Sequence, residues 1–194
     1  MPRRLSRTKR LLMTTGAVVA VAGVLPGAAS AAECAAVPTS KAFAQFGDAN
    51  DYFLAPGGAF DSIWSEKSGT PNLVANENPF NLGGGVTSLR MTGKEAVTSA
   101  QFCVDRTMPH LRFVALHDDD GQLDVEVKIY ENGRVMDSSS GSIAPSDHRS
   151  WAPTRTVDLK TGGMAEGESR TATVRLRSQG EWYVDDLFID PYRR

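Results

Sequence analysis

Residues 123–130 constrain this chain more than any other stretch. Leu123, Val125, Val127 and Ile129 alternate with Asp124, Glu126, Lys128 and Tyr130. Successive side chains on a strand point to opposite faces, so the pattern predicts a strand buried on one face and wet on the other. Asn132-Gly133 follows directly. Both residues accept positive φ, which makes the pair the strongest short signal for a hairpin turn. The period recurs over residues 171–178, where Ala172, Val174 and Leu176 face one way and Thr173, Arg175 and Arg177 the other, before Gln179-Gly180 turns the chain.

Further strands are predicted at residues 88–91, 96–104, 110–117, 154–159 and 182–189, separated by Gly, Pro, Asp or Ser clusters. Residues 35–79, rich in Gly, Pro, Asn and Ser, read as loops with short strands, and Gly83-Gly84-Gly85 marks a turn. No stretch beyond residue 31 carries a long amphipathic helical period. Many short strands without crossover helices specify an all-β fold, an antiparallel jelly-roll β-sandwich, over residues 32–194 as a single domain.

The first ten residues carry Arg3, Arg4, Arg7, Lys9 and Arg10 and no acid. Residues 11–25 are then apolar apart from Thr14, Thr15 and the glycines, and Ala29-Ser30-Ala31 closes the segment with small side chains. This order predicts a secretory signal peptide over residues 1–31, and its apolar run is shorter than the ~20 residues that span a bilayer. Arg3-Arg4 suggests a twin-arginine signal, but Leu5-Ser6-Arg7-Thr8 lacks the apolar pair such a signal needs. The expectation is a secreted, extracellular protein. With five of the 21 basic residues and none of the 23 acids in the leader, the remaining 163 residues carry a net charge of −7. An acidic chain repels phosphate backbones and anionic lipid, so neither nucleic acid nor a membrane is an expected partner after signal removal.

Both cysteines, Cys34 and Cys103, fall in the exported part. An even count in an oxidising compartment predicts a disulfide, the alternative being two buried thiols. Closing that loop removes unfolded-chain entropy worth about 4 kcal/mol.

The run His117-Asp118-Asp119-Asp120-Gly121 is the densest acid cluster, but adjacent acids fail the alternate spacing of an EF-hand loop, and a polar turn is expected. His110, His117 and His148 form no His-Glu-x-x-His pair, no Gly-x-Ser-x-Gly elbow presents a serine, and the glycine triplet lacks the Gly-Lys-Ser/Thr of a phosphate loop. Paired carboxylates for glycoside cleavage leave no mark in sequence, since distant acids meet only in the fold. The expectation is a chain that is not an enzyme. Sugar recognition needs flat aromatic faces beside polar groups, and the exposed candidates are Trp64, Trp151, Tyr130 and Tyr52, with Trp182 expected in the core.

Phe43-Ala44-Gln45-Phe46-Gly47-Asp48, the run 52–60 (YFLAPGGAF), Ser150-Trp151-Ala152-Pro153 and the run 182–194 (WYVDDLFIDPYRR) resemble a family of secreted actinobacterial proteins. Their bodies look like the galactose-binding-like jelly rolls of carbohydrate-binding modules. The resemblance implies a non-catalytic binding module with carbohydrate as its partner at or outside the cell envelope. The alternatives are a structural domain that contacts an extracellular protein and, further off, a small secreted hydrolase. It also implies a structural calcium ion (Ca2+) as the one cofactor, held between Gly58-Ala59-Phe60-Asp61 and Asp185-Asp186. Asp61 stands where that family usually has Glu, and an undistorted strand aims only one of Asp185 and Asp186 at the ion.

Overall fold

A computed structural model of the chain describes residues 34–191, and the signal peptide expected over residues 1–31 lies outside them. Thirteen strands follow in order: β1 (Phe53–Leu54), β2 (Glu66–Ser68), β3 (Asn72–Ala75), β4 (Thr87–Met91), β5 (Ala96–Thr98), β6 (Phe102–Asp105), β7 (His110–His117), β8 (Leu123–Glu131), β9 (Arg134–Ile143), β10 (Ala152–Pro153), β11 (Val157–Asp158), β12 (Ser169–Ser178) and β13 (Trp182–Asp190). They form two antiparallel sheets. One runs β10-β7-β13-β4-β3, with β1 added to β13 and β11 to β7; the other runs β2-β5-β12-β8-β9, with β6 added to β12. From β4 onward the chain passes repeatedly from one sheet to the other, as the jelly-roll expectation requires.

The alternating pattern does what it promised. Leu123, Val125 and Val127 on β8 and Ala172, Val174 and Leu176 on β12 are fully buried between the sheets. The hairpin turn sits at Asn132 (φ 49°) and Gly133 (φ 76°), joining β8 to the edge strand β9. Trp182 is buried as expected, with the His117 ring stacked on it at 4.3 Å.

Two expected strands are interrupted. Residues 96–104 divide into β5 and β6, which pair with the same strand β12 in registers one residue apart. The extra residue is absorbed at Ser99, whose Oγ accepts the Val174 N–H in place of a backbone carbonyl. Residues 154–159 likewise begin earlier, as β10, and resume as β11, again one residue out of register on β7. Here the Thr154 hydroxyl accepts the Phe113 N–H.

A second apolar cluster lies apart from the main core. Phe43, Tyr52, Val114 and Phe188 bury one another, with Phe46, Phe80, Leu82 and Trp151 packed around them. Val114 and Phe188 are outward-facing residues of β7 and β13, so the segment holding Phe43 and Tyr52 covers part of the outer face of the seven-stranded sheet. Before that segment lies Cys34, which is bonded to Cys103 on β6 of the other sheet, with Cα atoms 5.6 Å apart. Reducing this bond, or replacing both cysteines by serine, should lower the unfolding free energy by about 4 kcal/mol. Urea denaturation with and without reductant measures it, and coincident curves would contradict the constraint.

Candidate functional site

On the part of the seven-stranded sheet's outer face that the second cluster leaves open, three side chains stand in a row. Tyr183 of β13 lies directly opposite Leu116 of β7 on one side and Arg90 of β4 on the other. Trp151 closes the β7 end beside Asp118, and Val74, Ala75 and Glu77 close the β3 end, leaving a groove of about 310 Å³. Trp151 and Tyr183 meet edge to face, ring centroids 6.4 Å apart, and both are half-buried. The polar floor is paired within itself. Glu181 accepts from Arg90 Nε at 2.6 Å and from the Tyr183 hydroxyl at 2.8 Å. The Tyr183 hydroxyl and then Arg90 hold the Glu181 carboxyl below the usual range. The groove thus combines two aromatic rings with a mutually neutralised Arg90–Glu181 pair on its floor and the carboxylates of Glu77 and Asp118 at its ends. That combination suits an uncharged polyhydroxylated ligand, with apolar ring faces on the aromatics and hydroxyls on the polar groups.

The wall at Glu77 is set from inside the sheet. β13 slips one residue against β7 between Asp185 and Phe188, and Asp186 takes a left-handed φ of 53°. The expectation that only one of the two acids could point one way assumed an undistorted strand. The bulge instead turns both toward the loop before β4. Asn78 Nδ2 donates to Asp185 at 3.2 Å and to Asp186 at 2.7 Å, and Asn76 Nδ2 donates to Asp185 at 2.7 Å. The backbone N–H groups of Leu82 and Gly83 donate to Asp186 at 2.7 and 2.6 Å. A Cβ at Gly83 would lie 2.7 Å from the Asp186 carboxylate, so the glycine triplet cradles a carboxylate. Neither amide is free to flip, because Asn76 Oδ1 accepts from Ser88 and from the Asn78 N–H, while Asn78 Oδ1 accepts from the Phe80 N–H.

This arrangement bears on the implied calcium ligands. Asp185 and Asp186 are fully buried and bonded to N–H donors, whose positive ends a cation would have to displace. Asp61 is exposed and accepts a long 3.4 Å bond from the Val86 N–H. Among the described residues no group of three or more acidic, His or Cys side chains is arranged to hold a metal ion. The Gly58-Ala59-Phe60-Asp61 segment does meet the β13 bulge, but through backbone: Gly58 accepts the Leu187 N–H at 3.0 Å, and a Cβ on Gly58 would lie 2.4 Å from the Leu187 carbonyl.

Of the four aromatics expected to be exposed, the groove takes only Trp151. Tyr52 is buried, its hydroxyl donating to Asp48 at 2.6 Å and its ring against Phe43. Trp64 is buried against Phe60, its Nε1 donating to Gly57. Both spend their ring faces on packing and offer none to a ligand. Tyr130 is half-buried on the outer face of the other sheet. Tyr183 and Arg90 were not anticipated, although their alternation with Trp182 and with Leu89 and Met91 places them outward. Asp118, Asp119 and Asp120 form the exposed polar turn expected of them.

No protein-family model matches this chain, and no curated protein matches it. Solved structures do. The enzymatically active domain of bacteriophage CBA120 tailspike protein 4 is similar at 13% identity and a TM-score of 0.49, over 71% of this chain and 21% of that one. The module TmCBM61, solved with beta-1,4-galactotriose, is similar at 14% identity and a TM-score of 0.43, over 71% of this chain and 97% of that one. CsCBM6-3 from Clostridium stercorarium, solved with cellobiose, is similar at 8% identity and a TM-score of 0.43, over 72% and 92%. This chain therefore spans about a fifth of the tailspike domain.

Burial and then the Asp186 charge push the Asp185 carboxyl up to about 6. Between its unfolded value near 3.8 and that folded value, Asp185 binds more proton in the folded state, so its stabilising contribution is present at low pH and lost as pH rises through about 6. His148, pushed down by burial, works oppositely: its contribution is lost as pH falls below its ordinary 6.5. Asp185→Asn removes the first effect and keeps the second. The variant's stability deficit against the parent should therefore be larger at pH 4 than at pH 7, by on the order of 3 kcal/mol. Urea titrations at both pH values read it, and an equal deficit would show that Asp185 titrates normally.

Proposed function

We propose that this protein is a secreted, non-catalytic module that binds neutral carbohydrate in the Trp151–Tyr183 groove. The observation that carries the reading is the pairing of two half-exposed aromatic rings with a floor on which Arg90 and Glu181 neutralise each other. A sugar ring stacked on Trp151 would shed water from both faces while its hydroxyls meet Glu77, Asp118 and the Arg90–Glu181 pair. The same floor argues for binding without bond cleavage. Glu181 is held ionised by two donors and is unsuited to give a proton to a leaving group. The basic, apolar, small-residue leader and the Cys34–Cys103 bond support export. A structural calcium ion enters this reading only outside the groove, at Asp61 and the β13 acids, where it would have to replace N–H donors. A melting temperature raised by millimolar calcium and returned by EDTA would establish it.

Isothermal titration against a panel of neutral glycans, beta-1,4-galactotriose and cellobiose among them, tests the binding. Trp151→Ala should weaken the best ligand roughly tenfold or more, on the order of 1–2 kcal/mol, while Trp64→Phe leaves affinity unchanged. No released product should accumulate on prolonged incubation. A flat response across the panel would overturn the carbohydrate assignment.

A second reading has one specific observation behind it. The edge strand β9 exposes Val135 and Met136, 53% and 51% accessible, beside its unpaired edge, which is a surface that another protein's strand could extend. Capture of a secreted protein that soluble glycan does not displace would favour it.

A further inference from the structure

The six-stranded sheet carries a groove of its own, on the face opposite the one described. Its floor is built from cross-strand rows: Arg177 of β12, Asp124 of β8 and Ser142 of β9 in one, Arg175, Glu126 and Ser140 in the next. Together with Arg155 they line a space of about 700 Å³. The small residues 138–142 of β9 leave that side low and open.

The two β12 arginines are unusual in having nothing to hold. Each faces an acid across the ladder, where opposite charges ordinarily pair. Both acids are engaged elsewhere. Asp124 accepts from Gln122 and Gln179 side chains at 2.8 and 2.9 Å and from the Ser142 hydroxyl at 2.9 Å, and Glu126 pairs with Lys128 at 3.2 Å. Among the described residues neither Arg175 nor Arg177 has a side-chain hydrogen-bond or ion-pair partner, and both are exposed. In the first groove Arg90 is neutralised by Glu181; here two guanidiniums stand free in a chain whose exported part is net negative.

We propose that this face is a second binding site, for a carboxylate-bearing polysaccharide of the uronic acid type, with Arg175 and Arg177 taking the carboxylate. Planar guanidiniums match a carboxylate two bonds at a time. Alternate residues on β12 lie about 6.6 Å apart, so both guanidiniums can reach one carboxylate or the carboxylates of successive sugars. Asp124, Glu126 and the serines are acceptors for sugar hydroxyls. Tyr130 stands in the adjoining recess that shares Glu126 and Arg175, and offers a ring for stacking. The choice of a glycan as carrier of the carboxylate rests on the reading of the first groove, but the site uses none of that groove's residues.

Titration of the exported protein with polygalacturonate, its fully methyl-esterified form and a sulfated glycan provides the test. Polygalacturonate should bind, esterification should abolish binding, and Arg175→Gln with Arg177→Gln should weaken it at least tenfold at an unchanged melting temperature. Trp151→Ala should leave it intact. Uronate affinity unmoved by the double variant, or lost with Trp151→Ala, would overturn the second site while sparing the first. Binding of the sulfated polymer alone would overturn the carboxylate assignment, and silence toward every charged and neutral glycan would overturn both readings together.

Discussion

The bulge in β13 is the point on which the rest of the molecule is hung. A regular strand would bury one of Asp185 and Asp186 between the sheets, where an unpaired carboxylate is untenable. One extra residue and one left-handed φ turn both acids outward to a loop more than 100 residues earlier in the chain. The strain of a non-glycine residue at positive φ, typically 1–3 kcal/mol, is offset by an array of charge-assisted N–H bonds made away from water. What that array fixes is the path of residues 76–83, and with it Glu77 at the groove and Phe80 and Leu82 in the second apolar cluster. The acids hold the loop, the loop covers the sheet, and the uncovered remainder is the groove.

The two outer faces of the sandwich differ accordingly. On the seven-stranded sheet, part of the face is roofed by apolar side chains, and in the open part Arg90 is paired with Glu181. On the six-stranded sheet no segment among the described residues is laid over the strands, and alternate residues present charge directly to water. The same period-two rule makes both faces; the covering segments from Phe43 to Tyr52 and from Asn76 to Leu82 make them different.

Periodicity made the body of the fold legible. The β8–β9 hairpin, β12, β13 and the buried place of Trp182 all follow from alternation and one Asn-Gly pair. The interruptions at Ser99 and after Thr154 do not, because a bulge is set by a side-chain hydroxyl bonding into the partner strand, which no local pattern records. Tyr52 and Trp64 looked available because their surroundings are loop-like, but those loops fold onto the sandwich and consume the rings. Tyr183 was legible in principle, since a buried Trp182 places its neighbour outward. Asn76 and Asn78 were not, for their partners lie at the other end of the chain.

The link from Cys34 to Cys103 has a bearing on where this protein can persist. It fastens the covering segment, laid over one sheet, to the opposite sheet, so the strap spans the sandwich and is anchored at its far end. Without the bond the strap would be held by its packing and by the Arg112–Asp48 ion pair, and each release would bare Phe43, Val114 and Phe188 together. Reducing conditions would therefore open this apolar segment to proteolysis.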